Sequence, residues 1–224
     1  MNDLELHVSA EVGTPDERGR VPVSITPAAV QVLLGWQSDQ FVKAVHESGH
    51  SVVAVTLAVK VKTIDIKNKF SGCSILDSED DEQPSIVSAS AYLDRLVIVL
   101  AAREAEILIL GEATNGNASD ISNATQYAKT YFEAGMDPNA IAGGIDLDYF
   151  HPTPPALGEA LLSSMIESLT TARERARILV AEHRDQIVAL ARIIYDARRL
   201  SDQALADAFR EIGLDPDEAR QSAS

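Results

Sequence analysis

The sequence predicts a mainly α protein of the α+β kind, a helical domain with one small β-ribbon after its first long helix. Three observations carry that prediction. Apolar residues recur every three or four positions through 38–60, 86–110 and 157–209, the period of a helix with a buried face. One stretch, Val61-Lys62-Thr63-Ile64-Asp65-Ile66, alternates apolar and polar instead, a strand pattern. Breakers stand between the periodic stretches, at Gly35, Gly111, Gly135 and the run His151 to Pro155.

Taken in order, residues 1 to about 25 are polar and interrupted by Gly13, Pro15, Gly19 and Pro22, which suggests an extension with at most one short strand. Thr26 before Pro27 is a helix start, a capping hydroxyl followed by a residue with no amide hydrogen to satisfy, and a short helix to Leu34 follows from it. Ser38 or Asp39 caps the next helix, whose apolar positions include Phe41, Val45, Val52, Val53 and Leu57, ending near Lys60. The alternating strand comes next, then a turn over 67–72 and a second strand at Cys73–Leu76, which together make the ribbon. The acidic run Asp77–Glu82 reads as a solvated loop, since it lacks the glycine and distal glutamate of a calcium loop.

A long helix over 86–110 presents Leu93, Leu96, Val97, Leu100, Ala101, Ile107 and Leu108 as a broad apolar face and stops at Gly111. An Asn/Gly-rich loop leads to a helix from about Asp120 to Ala134, capped either by Asp120 itself or by Ser119, which would free Asp120. After the proline-rich breaker, 159–182 and 185–198 read as two helices, and Leu200-Ser201-Asp202 caps a short terminal one. The Arg/Glu-rich faces of these last helices read as solvated surfaces.

Composition narrows the function. The 224 residues, 46% of them hydrophobic, suffice for one packed domain. Lys and Arg number 19 against 34 Asp and Glu, a formal charge of −15, which repels phosphate backbones and anionic lipid surfaces, so no nucleic acid partner is expected. The single cysteine, Cys73, permits neither an internal disulfide nor a cysteine metal cluster. The N-terminus lacks the basic-then-apolar pattern of a signal peptide, and no apolar run approaches the ~20 residues of a membrane span. A soluble, cytoplasmic chain without membrane insertion is expected.

The chemistry is concentrated in His46-Glu47-Ser48-Gly49-His50, an HExxH motif within a predicted helix. Residues four apart share a helix face, with Cβ atoms about 5–6 Å apart. His46 and His50 can therefore hold one Zn2+ at about 2.0–2.1 Å. Zinc lowers the pKa of a coordinated water to about 7 and polarises a carbonyl, and Glu47, next to the first histidine, is placed to take that water's proton and return it to a leaving amine. A catalytic zinc usually has a third protein ligand. His7, His151 and His183 lie outside any helical pairing, which leaves a carboxylate: Asp120 is the leading candidate, with Glu104 and Glu106 as rivals.

These residues belong to a larger pattern. Ala44-Val-His-Glu-Ser-Gly-His-Ser-Val-Val-Ala54 resembles the AxHExGHxxVA motif of the FtsH-type peptidase, the proteolytic domain of the membrane-bound AAA+ zinc proteases. Leu100-Ala-Ala-Arg-Glu-Ala-Glu106 with Leu110-Gly111-Glu112 is similar to its LAGRAAE…fGe helix end, and Thr114-Asn-Gly-Asn-Ala-Ser-Asp120 with Ala124-Thr125, Ala128 and Gly135-Met136 resembles its TTGAsnD…AT…A…GM stretch. Ala172-Arg173, Ile178-Leu179 and Leu190-Ala191 resemble its final helices. The resemblance spans roughly 38–210. It implies that Asp120 is the third zinc ligand and that Glu106 is a structural or supporting group beside the ligands.

It also implies a zinc-dependent endopeptidase acting on unfolded proteins, peptides or a specific partner, with 1–37 as an extension, 38–213 as the peptidase domain and 214–224 as a flexible tail. There is no GxxxxGK[ST] loop. Hydrolysis is therefore expected to be ATP-independent, with a separate ATPase and a homo-oligomer as candidate partners, and a non-catalytic binding module as the alternative. Lys67-Asn-Lys-Phe-Ser-Gly72 replaces the family's PRG-type turn, and alanine at 102 replaces its glycine. In such peptidases an edge strand near the zinc receives an extended substrate, which points to the segment Val61–Leu76 and in it to Thr63, Ile64, Asp65 and Ile66 as substrate-binding residues.

Overall fold

The computed structural model describes residues 10–12, 23–25, 38–67, 72–76, 87–139 and 153–216. The helix expected over 26–34, the acidic run 77–82, His7 and His151 lie outside them.

The architecture is mainly α with a small β component. The elements are β1 (Ala10–Val12), β2 (Val23–Ile25), α1 (Ser38–Thr56), β3 (Lys60–Asp65), β4 (Gly72–Leu76), α2 (Ala89–Leu110), α3 (Ala118–Glu133), α4 (Pro155–Glu182), α5 (Arg184–Ala197), β5 (Arg199–Ser201) and α6 (Asp202–Glu211). A short 3-10 turn, Asn115–Asn117, leads into α3. β1 and β2 pair antiparallel, so the N-terminal segment holds two short strands where one was expected.

α1 is the central element. It packs against α2 on one side and α5 on another, α4 closes over α2, and β3 and β4 border α1. Phe41, Ala44, Val45, Val52, Val53 and Ala54 on α1 are buried against Leu96, Val97, Ala101 and Ala105 of α2 and Ile187, Leu190 and Ile194 of α5. A helix buried on several faces can hold serine only if the hydroxyl is satisfied. Ser48 and Ser51 do this locally, donating to the carbonyls of Ala44 and Glu47 at 2.7 and 2.6 Å.

Gly49 sets how closely α1 and α2 approach. A Cβ on it would lie 2.8 Å from Ala105 Cβ, 2.9 Å from Ala102 Cα and 3.0 Å from the Ala101 carbonyl oxygen. Any side chain there would press on backbone, so glycine is what lets the two helices touch.

α2 begins at Ser88, whose hydroxyl accepts from the Ala91 amide at 3.2 Å, and ends at Gly111, which takes the left-handed conformation (φ 87°). Its apolar face is narrower than expected, because Leu108 is 42% exposed. The buried side of the last turns is formed instead by small and polar residues, among them Ala102, Glu104, Ala105 and Glu106.

The ribbon has three strands, in the order β4-β3-β5. β3 pairs with β4 (Thr63 with Ser74, Asp65 with Gly72) and with β5 (Thr63 with Ser201, Asp65 with Arg199), both antiparallel. An irregularity between Val61 and Thr63 shifts the alternation, which lets Val61, Ile64 and Ile66 all reach the core. β5 takes the place of what reads in sequence as the cap of α6. Ser201 does precede α6, and its backbone pairs with Thr63 while its side chain makes no capping bond.

Candidate active site

One turn of α1 presents His46 and His50 on the same face, their rings edge-to-face with centroids 4.8 Å apart. α3 begins close to them and carries Asp120 in its first turn. Asp120 Oδ2 lies 3.0 Å from His46 Nε2 and 3.5 Å from His50 Nε2. One ligand atom from each of the three residues falls within 4.8 Å of the others, the one such group of histidine, cysteine and acidic side chains among the described residues.

The opposite edges of the imidazoles decide what these atoms can do. His46 Nδ1 lies 2.8 Å from Glu106 Oε1, and a carboxylate only accepts, so Nδ1 carries the hydrogen and donates. His50 Nδ1 lies 2.8 Å from the Ile98 carbonyl oxygen, so it donates as well. In the neutral rings both Nε2 atoms are then lone pairs, and both face the oxygen of a third acceptor. Asp120 Oδ2 is buried and has no hydrogen-bond partner among the described residues. Three acceptors turned toward one point fit a cation, and two imidazole nitrogens with one carboxylate oxygen make a donor set suited to zinc.

Without a cation the same geometry draws in a proton. Burial opposes a charged His46, but the hydrogen bonds to Asp120 and Glu106 and the charges of Glu47 and Asp120 outweigh it and push the imidazole up to about 10. Asp120 moves the other way: burial would raise it, yet the two histidines hold it well below the usual carboxylate range.

Glu106 is fully buried. Its Oε2 accepts from the Thr114 amide at 2.6 Å and from Asn117 Nδ2 at 2.7 Å. Burial raises its pKa, and the hydrogen bonds from His46, Thr114 and Asn117 more than offset this, so it stays ionised. One carboxylate thus grips a histidine of α1 and the turn that leads into α3, the helix carrying Asp120. This is the arrangement by which a partner behind a ligating histidine fixes its tautomer and direction. Glu47, which follows His46, is also buried, and its charge reaches the His46 ring.

Asn117, not Ser119, occupies the position before α3, and its side chain does not cap the helix. Glu104 is not near the histidines. It is buried between Arg103 Nη1 at 2.7 Å and Arg173 Nε at 2.9 Å, so the charged face of α4 is at that point an ion-pair contact and not merely solvated. Thr63, Ile64 and Asp65 sit on the central strand, whose backbone is engaged on both sides, and Ile64 and Ile66 are wholly buried. Among the described residues Thr63, Ile64 and Asp65 are paired with β4 on one side and β5 on the other, and the Ile66 amide donates to the Arg198 carbonyl at 2.9 Å. Asn117 and the Ile98 carbonyl were not found by sequence reading. The first resembles any turn residue, and the second is a backbone atom with no signature.

The helical scaffold, the histidine pair on α1 and the carboxylate on α3 define a protein of the HExxH metallopeptidase class. The model of peptidase family M41 matches residues 36–207, and the chain belongs to that family. It is similar to the ATP-dependent zinc metalloprotease FtsH of Kosmotoga olearia, 24% identical over 92% of this chain and 32% of that protein. It is also similar to the FtsH of Acidothermus cellulolyticus, 26% identical over 84% of the chain and 30% of the relative. The FtsH of Pseudomonas putida is 30% identical over 70% and 28% respectively. The chain spans about a third of the length of these relatives. Among the described residues no helix is long and apolar enough to cross a membrane.

Proposed function

We propose that this chain is a zinc-dependent endopeptidase that cleaves peptides or unfolded protein segments, with His46, His50 and Asp120 as the zinc ligands and Glu47 as general base. The observation that carries this reading is the convergence of three acceptor atoms, two of them with their tautomer fixed from behind by Glu106 and the Ile98 carbonyl. Bound zinc would supply Lewis acidity toward the scissile carbonyl and toward the attacking water. The remaining work falls to the chain itself. Glu47 accepts the water's proton and delivers it to the departing amine. Glu106 keeps the Nδ1 hydrogen on His46, so that Nε2 remains a ligand. The family membership and the zinc metalloprotease relatives support the same chemistry.

The test is hydrolysis of a flexible, quenched fluorescent peptide by zinc-loaded protein, beside Glu47→Gln. The variant should bind zinc as the wild type does and lose about 10²–10⁴-fold in rate, the usual contribution of a general base. A wild type that binds zinc yet cleaves neither peptide nor unfolded protein would favour a non-catalytic binding module.

A further inference from the structure

We propose that Asn117 is a positioning residue for the metal site, its side-chain amide fixing Glu106 and, through Glu106, the His46 ring relative to Asp120. The inference rests on the zinc-site reading above and adds a residue to it.

Asn117 stands immediately before α3, three positions from Asp120. An asparagine there ordinarily turns its side-chain oxygen onto the helix's own first amides. This one does not. Its backbone is already helical (φ −73°, ψ 0°) and it makes no capping bond. The side chain, 4% exposed, turns back and donates from Nδ2 to Glu106 Oε2 at 2.7 Å and to the Thr114 carbonyl at 3.1 Å. Its Oδ1 is buried and has no hydrogen-bond partner among the described residues. The local fold therefore forgoes a helix cap and leaves an acceptor unmatched in order to put a donor on one carboxylate oxygen. The other oxygen of that carboxylate holds His46 Nδ1 at 2.8 Å. The chain from Asn117 through Glu106 to His46 thus joins the start of the Asp120 helix to the first histidine by two hydrogen bonds.

Zinc affinity, measured by chelator competition, separates this from a merely structural role. Asn117→Ala is expected to bind zinc about tenfold or more weakly, in the range seen when a partner behind a ligand is lost. It should also shift the visible absorption of the cobalt-loaded protein. Asn117→Asp keeps the shape and removes the donor; it should weaken zinc at least as much, and it serves if the alanine variant does not fold. The double variant Asn117→Ala/Glu106→Gln decides the route. If Asn117 acts through Glu106, the double variant binds zinc no more weakly than Glu106→Gln alone. Additive losses, or unchanged zinc affinity in both single variants, would overturn the inference. The zinc-site reading would then stand, provided that the wild type binds one zinc and His50→Ala does not. If the wild type binds none, both fall.

Discussion

Two glutamates lie two positions apart near the end of α2, both buried, and the fold uses them differently. Glu104 meets two arginines, Arg103 and Arg173, the second of them more than half exposed. Among the described residues Glu106 meets no permanent cation; it is held by an imidazole, a backbone amide and a side-chain amide. The first arrangement neutralises a charge at the edge of the core and ties α2 to α4. The second keeps a charge behind a histidine and ties α1 to the loop before α3. Burial alone does not distinguish a carboxylate that holds the fold from one that serves the site. The partners do, because an arginine stays charged at every relevant pH, whereas an imidazole can exchange its proton for a metal.

The largest contrast is expected with pH. His46 has an ordinary value of 6.5 and is raised to about 10 in the folded chain without metal, so zinc must displace a proton to bind. Zinc affinity should therefore rise with pH, by about 100-fold from pH 7 to 9 for one displaced proton. The chelator-stripped protein should behave in the opposite sense. A raised folded-state pKa contributes stability that is complete below 6.5 and is lost as pH rises through about 10. Thermal unfolding with and without zinc across this range measures both. Stability curves that ran parallel would break the assignment of the proton to His46.

Substitution at the two glutamates sharpens the comparison. In Glu106→Gln an NH2 replaces one side-chain oxygen and faces either His46 Nδ1–H or the Thr114 and Asn117 donors, so one contact is lost in the first orientation and two in the second. Zinc affinity should fall about 10- to 100-fold. Glu104→Gln should leave zinc affinity within about twofold and lower stability by roughly 1–2 kcal/mol, since its arginines remain partly solvated. Equal zinc losses in the two variants would mean that α2 acts on the site as a rigid whole.

Gly49→Ala tests the contact between the two helices directly. The new methyl meets α2 backbone at 2.9 and 3.0 Å, and overpacking of this kind costs about 1–3 kcal/mol, partly offset by alanine's better helix propensity. It should weaken zinc more than a remote change of equal stability cost, because it separates α1 from the helix that carries Glu106. Denaturant unfolding and chelator competition on the same preparation would show whether both fall together.

The parts of this molecule legible in the sequence are those specified by local chemistry. α1 was readable because its period and HExxH spacing agree, though it ends at Thr56 and Lys60 already belongs to β3, and α2 because Gly111 is where the chain turns left-handed. β5 was not, since three residues, Arg199–Ser201, become a strand only by pairing with Thr63–Asp65, far away in the chain. That pairing also put β3 at the centre of the sheet, with Thr63, Ile64 and Asp65 paired on both sides. The role of Asp120 was suggested by the resemblance, but the cap before it was misjudged, because the side chain that normally caps is engaged by Glu106. Local rules fail at the site because its residues answer to distant partners.

The start of α3 has one more consequence. The backbone dipoles of a helix add up to a partial positive charge at its first turn, and here no capping side chain attenuates it. Asp120 lies within that turn. The field of the helix favours its ionised form without placing a donor on the oxygen that faces the histidines. The two histidines hold the carboxylate anionic, and the helix field adds to them while occupying no coordination direction, where a further hydrogen bond would take one.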